Sequence, residues 1–501
     1  MKPFYLFIII SLSHYFYWTT LSPDDLKMKT DEKKSYYDNQ KTSSETKVLD
    51  FRTAVNMMLE NNKTIKAAEK GTELAKRQSQ LINASWFPTI TMTGTYTLMS
   101  NNIGMSQEYA SLLEPLKEKY ANTLLVPDVL NFISNELGDL SFDVPIFDDD
   151  LASIDLEVIY PVFTGVKRIY TNKLAKNNET LAEINKESIG ATKYIELATI
   201  YFSLSLSESM INVLKENNLM TKNHYSQALK MEEIGMFDKV ERLIVKVALD
   251  ESDRSLKSAE NQSYILKKSL FEIINPSEDN IQETSENQDY IISTPLFLNE
   301  KYPSLEWFKD MMYKNAYIFR KSEVHEDISK TSLKMSRSNY FPVISVFGKQ
   351  TIASYNIPKN LIPNTIGGIN MAWDIFDGLA RERNIQITKI ESEIISETQH
   401  DLKNELEVLV DKWYTNLKQS CINAKDLQSS LEFAEEVYSI RKKSFAEGLA
   451  TSQQVLDALN LLNKTKLLLL TTYYEYDIAL VNLCCLCGIP EYFESFIDIG
   501  Q

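Results

Sequence analysis

The chain has few glycines, few cysteines and no excess of positive charge. Its 501 residues include 14 Gly and 4 Cys, and 53 basic residues against 69 acidic ones give a formal net charge of −16. So few glycines, beside 26 Tyr and 22 Phe, disfavour a nucleotide-binding α/β enzyme. The negative charge argues against nucleic acid as a partner, because binding to phosphates needs a basic face.

The residue spacings of catalytic and metal sites are also missing. The four histidines are isolated, and no HExxH, nucleophile elbow or P-loop occurs. The four cysteines do not form the two CxxC pairs of a structural zinc site. Cys484 and Cys487 would share a helix face, which leaves a redox or metal role open beside plain apolar packing. We expect no enzyme and no cofactor, and we expect lone histidines on helices, such as His224, to lie at the surface.

The amino terminus carries a short apolar run. Met1 and Lys2 precede apolar residues 4–12, fewer than the about 20 that span a membrane. This pattern favours a signal peptide over residues 1–22, with a membrane anchor as the alternative. Residues 23–46 are rich in Lys, Asp, Ser and Thr and predict a disordered leader.

Two parts of the sequence repeat the same landmarks. A Phe-x-Gly motif and a later glycine recur 213 positions downstream, in the pairs Phe163 and Phe376, Gly165 and Gly378, Gly235 and Gly448. A Phe-Pro motif recurs 254 positions downstream, ending at Pro88 and Pro342. The chain is therefore a tandem duplication, and its first copy carries about forty additional residues within 101–150. We place the first repeat at 47–280, a linker at 281–300, the second repeat at 301–491 and a tail at 492–501.

Long helices are predicted after each Phe-x-Gly motif. Between Gly378 and Gly448 apolar or small residues recur at alternating steps of three and four, which is the coiled-coil pattern. A helix of about 65 residues would be about 100 Å long. Each copy then turns at its glycine, Gly235 or Gly448, into a returning helix of about 40 residues. A shorter helix is expected before each strand region, over about 51–85 and 305–338.

Strands with one polar and one apolar face precede the long helices. Over Thr89 to Leu98 threonines alternate with mostly apolar residues, and the length of ten suits a tilted transmembrane strand. The segment before Phe163 alternates in the same way. We expect the polar set to face water inside a barrel: Thr91, Thr93, Thr95, Asp155 and Glu157. Four strands cannot close a barrel and open edges are not tolerated in lipid, so closure requires several chains.

These features resemble the TolC family of outer-membrane efflux proteins. The resemblance rests on the Phe-Pro entry into the first strand, the Phe-x-Gly exit from the second strand and the final glycine turn. Near that turn the chain matches the family's carboxy-terminal signature at Arg441, Ser444, Phe445, Gly448, Val455, Leu456, Asp457 and Ala458.

The resemblance implies a mainly α-helical protein with membrane β-strands, made of duplicated β-hairpins and long antiparallel coiled-coil helices. It implies a homotrimer whose 12-stranded outer-membrane barrel continues as an α-helical barrel in the periplasm. Such proteins are passive exit channels for small molecules or proteins, and they contact outer-membrane lipid, a periplasmic adaptor and an inner-membrane transporter. The alternative is a coiled-coil scaffold of the cell envelope without a pore.

Roles for several residues follow from the resemblance. Gly235 and Gly448 would form the periplasmic tip, where the adaptor docks. Pro88, Phe163, Gly165, Pro342, Phe376 and Gly378 would mark the transitions between strands and helices. Asp457 would form an acidic ring that narrows the pore, with an ordinary solvated carboxylate as the alternative. The insertion 101–150 would lie outside the cell, either capping the mouth or without a function of its own.

Overall fold

The computed structural model describes residues 47–100, 103–108, 118, 141–147, 150–274, 290–357 and 363–500. The predicted signal peptide and the predicted leader, residues 1–46, lie outside the described residues, as does most of the insertion 101–150.

The first copy runs from a short strand to a helical hairpin. Its elements in chain order are β1 (Lys47–Leu49), α1 (Phe51–Asn61), α2 (Lys63–Asn83), β2 (Thr89–Leu98), β3 (Ile103–Glu108), β4 (Ser141–Phe147), β5 (Asp150–Thr164), α3 (Lys167–Glu233) and α4 (Lys239–Ile274). The bounds of β2 coincide with the ten alternating residues that the sequence marks as a strand.

The second copy repeats this order without the insertion. Its elements are β6 (Tyr290–Ile292), α5 (Leu305–Asn315), α6 (Tyr317–Ser338), β7 (Val343–Tyr355), β8 (Thr365–Ala372), α7 (Ala380–Ala446), α8 (Ser452–Leu486) and α9 (Tyr492–Gly500). Helices α3 and α7 have 67 residues each, which corresponds to about 100 Å. The predicted length of these helices is therefore confirmed.

The helix before each strand region is broken in two, and the prediction of continuous helices over 51–85 and 305–338 is wrong. Asn62 ends α1 in an extended conformation, and its side chain accepts hydrogen bonds from the backbone N–H groups of Thr64 and Ile65. Ala316 makes the equivalent break 254 residues later. There the turn at Gly488 packs against the break so closely that a Cβ on Gly488 would lie 2.3 Å from the carbonyl oxygen of Asn315.

The long helices pack side by side in two rows. Towards the strands, α3 lies between α2 and α6, and α6 packs in turn against α7. Towards the glycine turns, α3 lies between α4 and α8, and α8 packs against α7. Polar contacts of α3 show the same two sets of neighbours. Towards the strands, Glu183 of α3 forms an ion pair with Lys76 of α2 at 3.2 Å, and towards the glycine turns Asn218 of α3 donates a hydrogen bond to Ser252 of α4 at 2.9 Å.

The main hydrophobic core lies where the two rows meet. Phe51 contacts the rings of Tyr194, Tyr201, Phe202 and Phe493 at centroid distances of 5.3–5.6 Å. By length and composition α3 is the one described helix that could cross a membrane, but its aromatic stretch forms part of this core. The apolar character of α3 therefore serves packing.

Two segments named as a linker and a tail belong to this core. Strand β6, within residues 281–300, pairs in parallel with β1, and the side chain of Phe297 is buried beside them. Helix α9, within the expected tail, buries Phe493 and Phe496. The strands β1 and β6 and the last helix, α9, thus pack against the middle of the long helices.

Candidate channel wall and helical tip

One sheet precedes the long helices in both copies. It has four antiparallel strands in the order β2-β5-β7-β8, and the chain continues from β5 into α3 and from β8 into α7. Its register aligns the polar residues of neighbouring strands on one face. Thr91 pairs with Glu157, Thr93 with Asp155 and Thr95 with Ser153, and across the next ladder Glu157 pairs with Lys349 and Asp155 with Thr351. A continuous polar face therefore crosses β2, β5 and β7.

Asp155 lies at the centre of this polar face. Its carboxylate accepts hydrogen bonds from Thr351 Oγ1 at 2.7 Å and Ser153 Oγ at 2.9 Å, and it forms an ion pair with Lys349 Nζ at 3.0 Å. Asp155 is buried although it belongs to a sheet with one layer. The charges of Asp155 and Lys349 thus join β5 to β7, the strands contributed by the two copies.

The opposite face is mostly apolar, with Gln350 and Thr365 as a hydrogen-bonded polar pair on β7 and β8. Among the described residues, the Arg168 side chain contacts this face at Tyr160. The exposed apolar residues of this face on all four strands are Ile90, Met92, Tyr96, Leu98, Ile154, Tyr160, Val346, Ile369 and Met371. Ile369 keeps 74% of its surface accessible and Met371 keeps 61%. Large apolar residues concentrated on one face of a sheet indicate an interaction surface, and lipid is the environment that accepts them without polar partners.

The two outer strands, β2 and β8, each have a free edge among the described residues. All ten residues of β2 are exposed, and β8 pairs only with β7. Backbone N–H and C=O groups along such edges need partners where water is absent. The sheet is therefore incomplete as a membrane structure in one copy of the chain.

The predicted transition residues lie at the ends of these strands. Pro88 and Pro342 directly precede β2 and β7, and Phe163 packs edge-on against Phe341 at 6.5 Å, whereas Phe376 is exposed. Gly165 and Gly378 both have positive φ, of 62° and 69°. A Cβ on Gly165 would lie 2.6 Å from the carbonyl oxygen of Ser338, so a glycine is required there.

Gly235 and Gly448 form the turns at the far ends of the long helices. Their φ angles are 75° and 74°, and each turn closes with a bond between residues five apart, from Met236 N–H to the Met231 carbonyl and from Leu449 N–H to the Ser444 carbonyl. This is the Schellman ending, which depends on a left-handed residue. The two turns have the same geometry because the duplicated sequence carries a glycine at the same place.

Aromatic stacking joins the two hairpins at this tip. Phe237 stacks on Phe445 with centroids 5.0 Å apart, and the His224 ring packs edge-on against Phe445 at 4.5 Å. A second hydrophobic cluster, formed by α3, α4, α7 and α8, surrounds these rings. The expectation that His224 is a surface residue is wrong, because the side chain is buried.

Polar contacts complete the junction. Glu241 of α4 accepts a hydrogen bond from the Ser452 N–H at the start of α8 at 2.7 Å, and Thr451 and Gln454 form a reciprocal capping box there. Burial lowers the pKa of His224, against the opposing effects of the Ser452 backbone and the Glu241 carboxylate. The sequence shows the turn glycines but not these partners, which are distant in the chain.

Asp457 lies on the exposed side of α8. Its neighbours Val455, Leu456 and Ala458 are buried, while its carboxylate accepts a hydrogen bond from Gln453 Nε2 at 2.8 Å. The side chain of Gln454, three residues before Asp457, is engaged in the capping box. Asp457 is therefore an exposed carboxylate with one hydrogen bond, about one and a half helical turns from the start of α8.

The part of the chain that the structure describes contains no group of three or more His, Cys, Asp and Glu side chains that could hold a metal. Cys484, Cys485 and Cys487 are buried at the end of α8, and the Cys487 thiol contacts the carbonyl oxygen of Phe308 at 3.2 Å. Burial raises the pKa of the Cys487 thiol to about 12, which suppresses thiolate chemistry.

Comparisons with known proteins agree with this architecture. Residues 315–488 match the family model described as outer membrane efflux protein. No match to the sequence was found among curated proteins.

Three solved structures illustrate the likeness of fold. The CmeC outer membrane channel of Campylobacter jejuni shares 16% identity with a TM-score of 0.68, covering 90% of this chain and 89% of its own. The outer membrane protein VceC of Vibrio cholerae shares 11% identity with a TM-score of 0.66, covering 87% and 96%. The MtrE outer membrane channel of Neisseria gonorrhoeae, in its open state, shares 12% identity with a TM-score of 0.64, covering 88% and 89%.

The matches to solved structures extend over both copies of the duplication, and the family match lies in the second copy. The resemblance to the TolC family of outer-membrane efflux proteins that the sequence predicts is therefore confirmed, by the family match over residues 315–488 and by the fold of the described chain.

Proposed function

We propose that this chain is a passive exit channel of the outer membrane, assembled from three copies. The observation that carries the proposal is the four-stranded sheet, which is polar on one face, apolar and exposed on the other, and open at both edges. Three such sheets paired edge to edge provide twelve strands, with the polar face around water and the apolar face towards lipid.

The long helices would continue the wall of the barrel from the membrane into the periplasm. Each sheet continues through Gly165 and Gly378 into helices of about 100 Å, so three copies would enclose a tunnel through the periplasm. The repeats 47–280 and 301–491 would each contribute half of a subunit's wall. A scaffold without a pore is the competing function, but it has no need for the polar face centred on Asp155.

The tip is the proposed docking region for a periplasmic adaptor, which would connect the channel to an inner-membrane transporter. Apolar residues beside both turns remain exposed, namely Ile234, Met236 and Leu449. Exposed apolar side chains at a helical tip favour a protein partner. Asp457 would face the tunnel near this end and attract cations, and the insertion 101–150, with its β3–β4 hairpin, would lie at the opposite, extracellular end.

Recording from planar lipid bilayers tests the channel. Purified protein added to one side of the bilayer should give discrete conductance steps that persist when a voltage is applied. Protein that has been digested with a protease beforehand should give fewer steps. A folded, detergent-stable oligomer that leaves the bilayer closed would support the scaffold instead.

Cross-linking tests the orientation. A photoreactive group at Met236 or Leu449 should capture the adaptor in cells, and a group at Glu118 in the insertion should not. Capture through position 118 alone would invert the assignment of the two ends.

A further inference from the structure

The guanidinium of Arg168, on the first turn of α3, lies between two aromatic rings. Its central carbon is 5.4 Å from the centroid of Trp86 and 5.6 Å from that of Tyr160. No hydrogen bond or ion pair joins this guanidinium to the residues that the structure describes, and its Nη2 atom is covered without a partner. Such a charge needs an anion or water to complete its hydrogen bonding.

The position of Arg168 relates it to the apolar face of the sheet. Tyr160 continues the alternation of Leu156 and Val158, which pair with Met92 and Ile90 on that face. Arg168 therefore lies where the apolar face ends and the helices begin. Amphipathic aromatics concentrate at the boundary between hydrocarbon and head groups, which is also where phosphates lie.

The duplication supplies an internal comparison. Arg381 occupies the matching place in the second copy, 213 residues later, and its guanidinium lies 4.8 Å from the ring of Tyr340, which matches Trp86 at the offset of 254. Arg381 has a counterion within the chain, since its Nε atom forms an ion pair with Asp377 at 3.2 Å and its Nη2 atom donates a hydrogen bond to the Ile375 carbonyl at 3.0 Å. The Nε atom itself is buried and makes no hydrogen bond, so the two copies differ in the counterion and not in complete hydrogen bonding.

The first copy lacks that carboxylate. The residue that matches Asp377 is Thr164, whose Oγ1 accepts a hydrogen bond from the Arg168 backbone N–H at 3.4 Å and caps the helix. Asp377 caps its own helix in the same way, through the N–H groups of Ala380 and Arg381. The two copies thus share the stacked arginine and the cap, and they differ in whether the arginine has an internal anion.

We propose that Arg168, Trp86 and Tyr160 form a binding site for the phosphate of a phospholipid in the periplasmic leaflet, with preference for an anionic head group such as phosphatidylglycerol. The guanidinium matches two phosphate oxygens, and the rings hold it in place at the edge of the hydrocarbon. The proposal rests on the proposed membrane insertion and adds a specific lipid contact to it. The site in the second copy is closed by Asp377.

Native mass spectrometry of the detergent-solubilised protein tests the site, with dioleoyl-phosphatidylglycerol as the probe. Arg168→Gln should weaken retention of the lipid about tenfold, as expected for loss of a charge-assisted contact. Thr164→Asp should weaken it to a similar degree, because it supplies the anion of the second copy while keeping the helix cap. Arg381→Gln is the matched control and should retain lipid within about twofold of the parent protein, since its arginine is already neutralised.

The outcomes are separable from those of the channel test. If the parent protein, Arg168→Gln and Thr164→Asp retained the lipid equally, the lipid site would be overturned. Conductance of the same proteins in planar bilayers would still support the channel. Displacement of the lipid by inorganic phosphate at equal concentration would also overturn it, in favour of a soluble anion. Loss of oligomers in Arg168→Gln, with unchanged lipid per remaining oligomer, would assign the arginine to a contact between copies instead.

Discussion

The rings of Phe237 and Phe445 stack at 5.0 Å between centroids with an angle of 11° between their planes. Phe237 follows the first glycine turn and Phe445 precedes the second, so the contact fixes the two hairpins of one chain to each other. The rest of the tip is arranged around this pair, with His224 against Phe445 and Glu241 against the start of α8. Movement of one hairpin relative to the other must separate these rings.

Truncating the central ring should loosen the tip. Phe445 is fully buried, so Phe445→Ala should cost about 3–5 kcal/mol of local stability through lost burial and a cavity. Hydrogen exchange at the backbone amides of residues 231–239 and 444–455 measures this opening directly. Phe433→Ala on the same helix is the control, because that side chain is exposed and its loss should leave exchange at the tip unchanged. Equal effects of the two substitutions would contradict the assigned packing.

Acid should also loosen the tip, through His224. Burial lowers its pKa in the folded protein, so as the pH falls below the ordinary value of about 6.5 the unfolded or opened state binds a proton that the closed state does not. Stability at the tip is therefore full above that pH and declines below it. Glu241 opposes the shift and limits its size.

The same hydrogen-exchange measurement at pH 7.5 and 5.5 checks this direction. His224→Phe should remove most of the acid-induced increase in exchange at the tip, whereas His325→Phe on α6 should not. Exchange that rises with acid equally in all three proteins would contradict a role for His224.

The glycine turn should be sensitive to any added side chain. Gly448 has φ of 74°, so Gly448→Ala should cost roughly 1–2 kcal/mol at the tip through left-handed backbone strain. Gly190→Ala within α3 is the matched control, since it meets nothing within 4 Å and should stabilise its helix by about 0.5–1 kcal/mol. We expect Gly448→Ala to reduce export while oligomers persist on native gels. Loss of oligomers would show that the turn serves assembly.

An acidic ring predicts selectivity for cations. If Asp457 lines the tunnel, Asp457→Ala should lower the cation-to-anion permeability ratio and weaken block by divalent cations. Asp426→Ala is the control, because it removes the same charge from α7 at a position several helical turns away from the tip. Reversal potentials measured in a salt gradient decide the matter, and an unchanged ratio would return Asp457 to the role of a solvated carboxylate.

Much of the fold could be predicted because short-range patterns determine it. Alternation over ten residues gave the bounds of β2, and paired glycines gave the turns and the lengths of α3 and α7. The breaks at Asn62 and Ala316 could not be found in the same way. The second break carries no local signal, and its partner, Gly488, is more than 170 residues away in the chain.

Contacts between distant residues limited the prediction of the site. The strand alternation identified the polar set around Asp155, but its pairing with Lys349 depends on how two copies of the repeat align, including a bulge in the β5–β7 ladder. A lone histidine on a long helix gave no sign of burial, because the ring of Phe445 that covers it comes from the other hairpin.

Copies of the chain can close one barrel only if the free edge of β2 in one copy pairs with the free edge of β8 in the next. Disulfide formation between copies measures this pairing, in a background with Cys421→Ser, using Thr95→Cys combined in turn with cysteine at each position from 366 to 370. At least one combination, and neither of its single-cysteine parents, should give a covalent trimer on oxidation. If every combination yields only monomers, and the chain remains a soluble monomer, the barrel does not form.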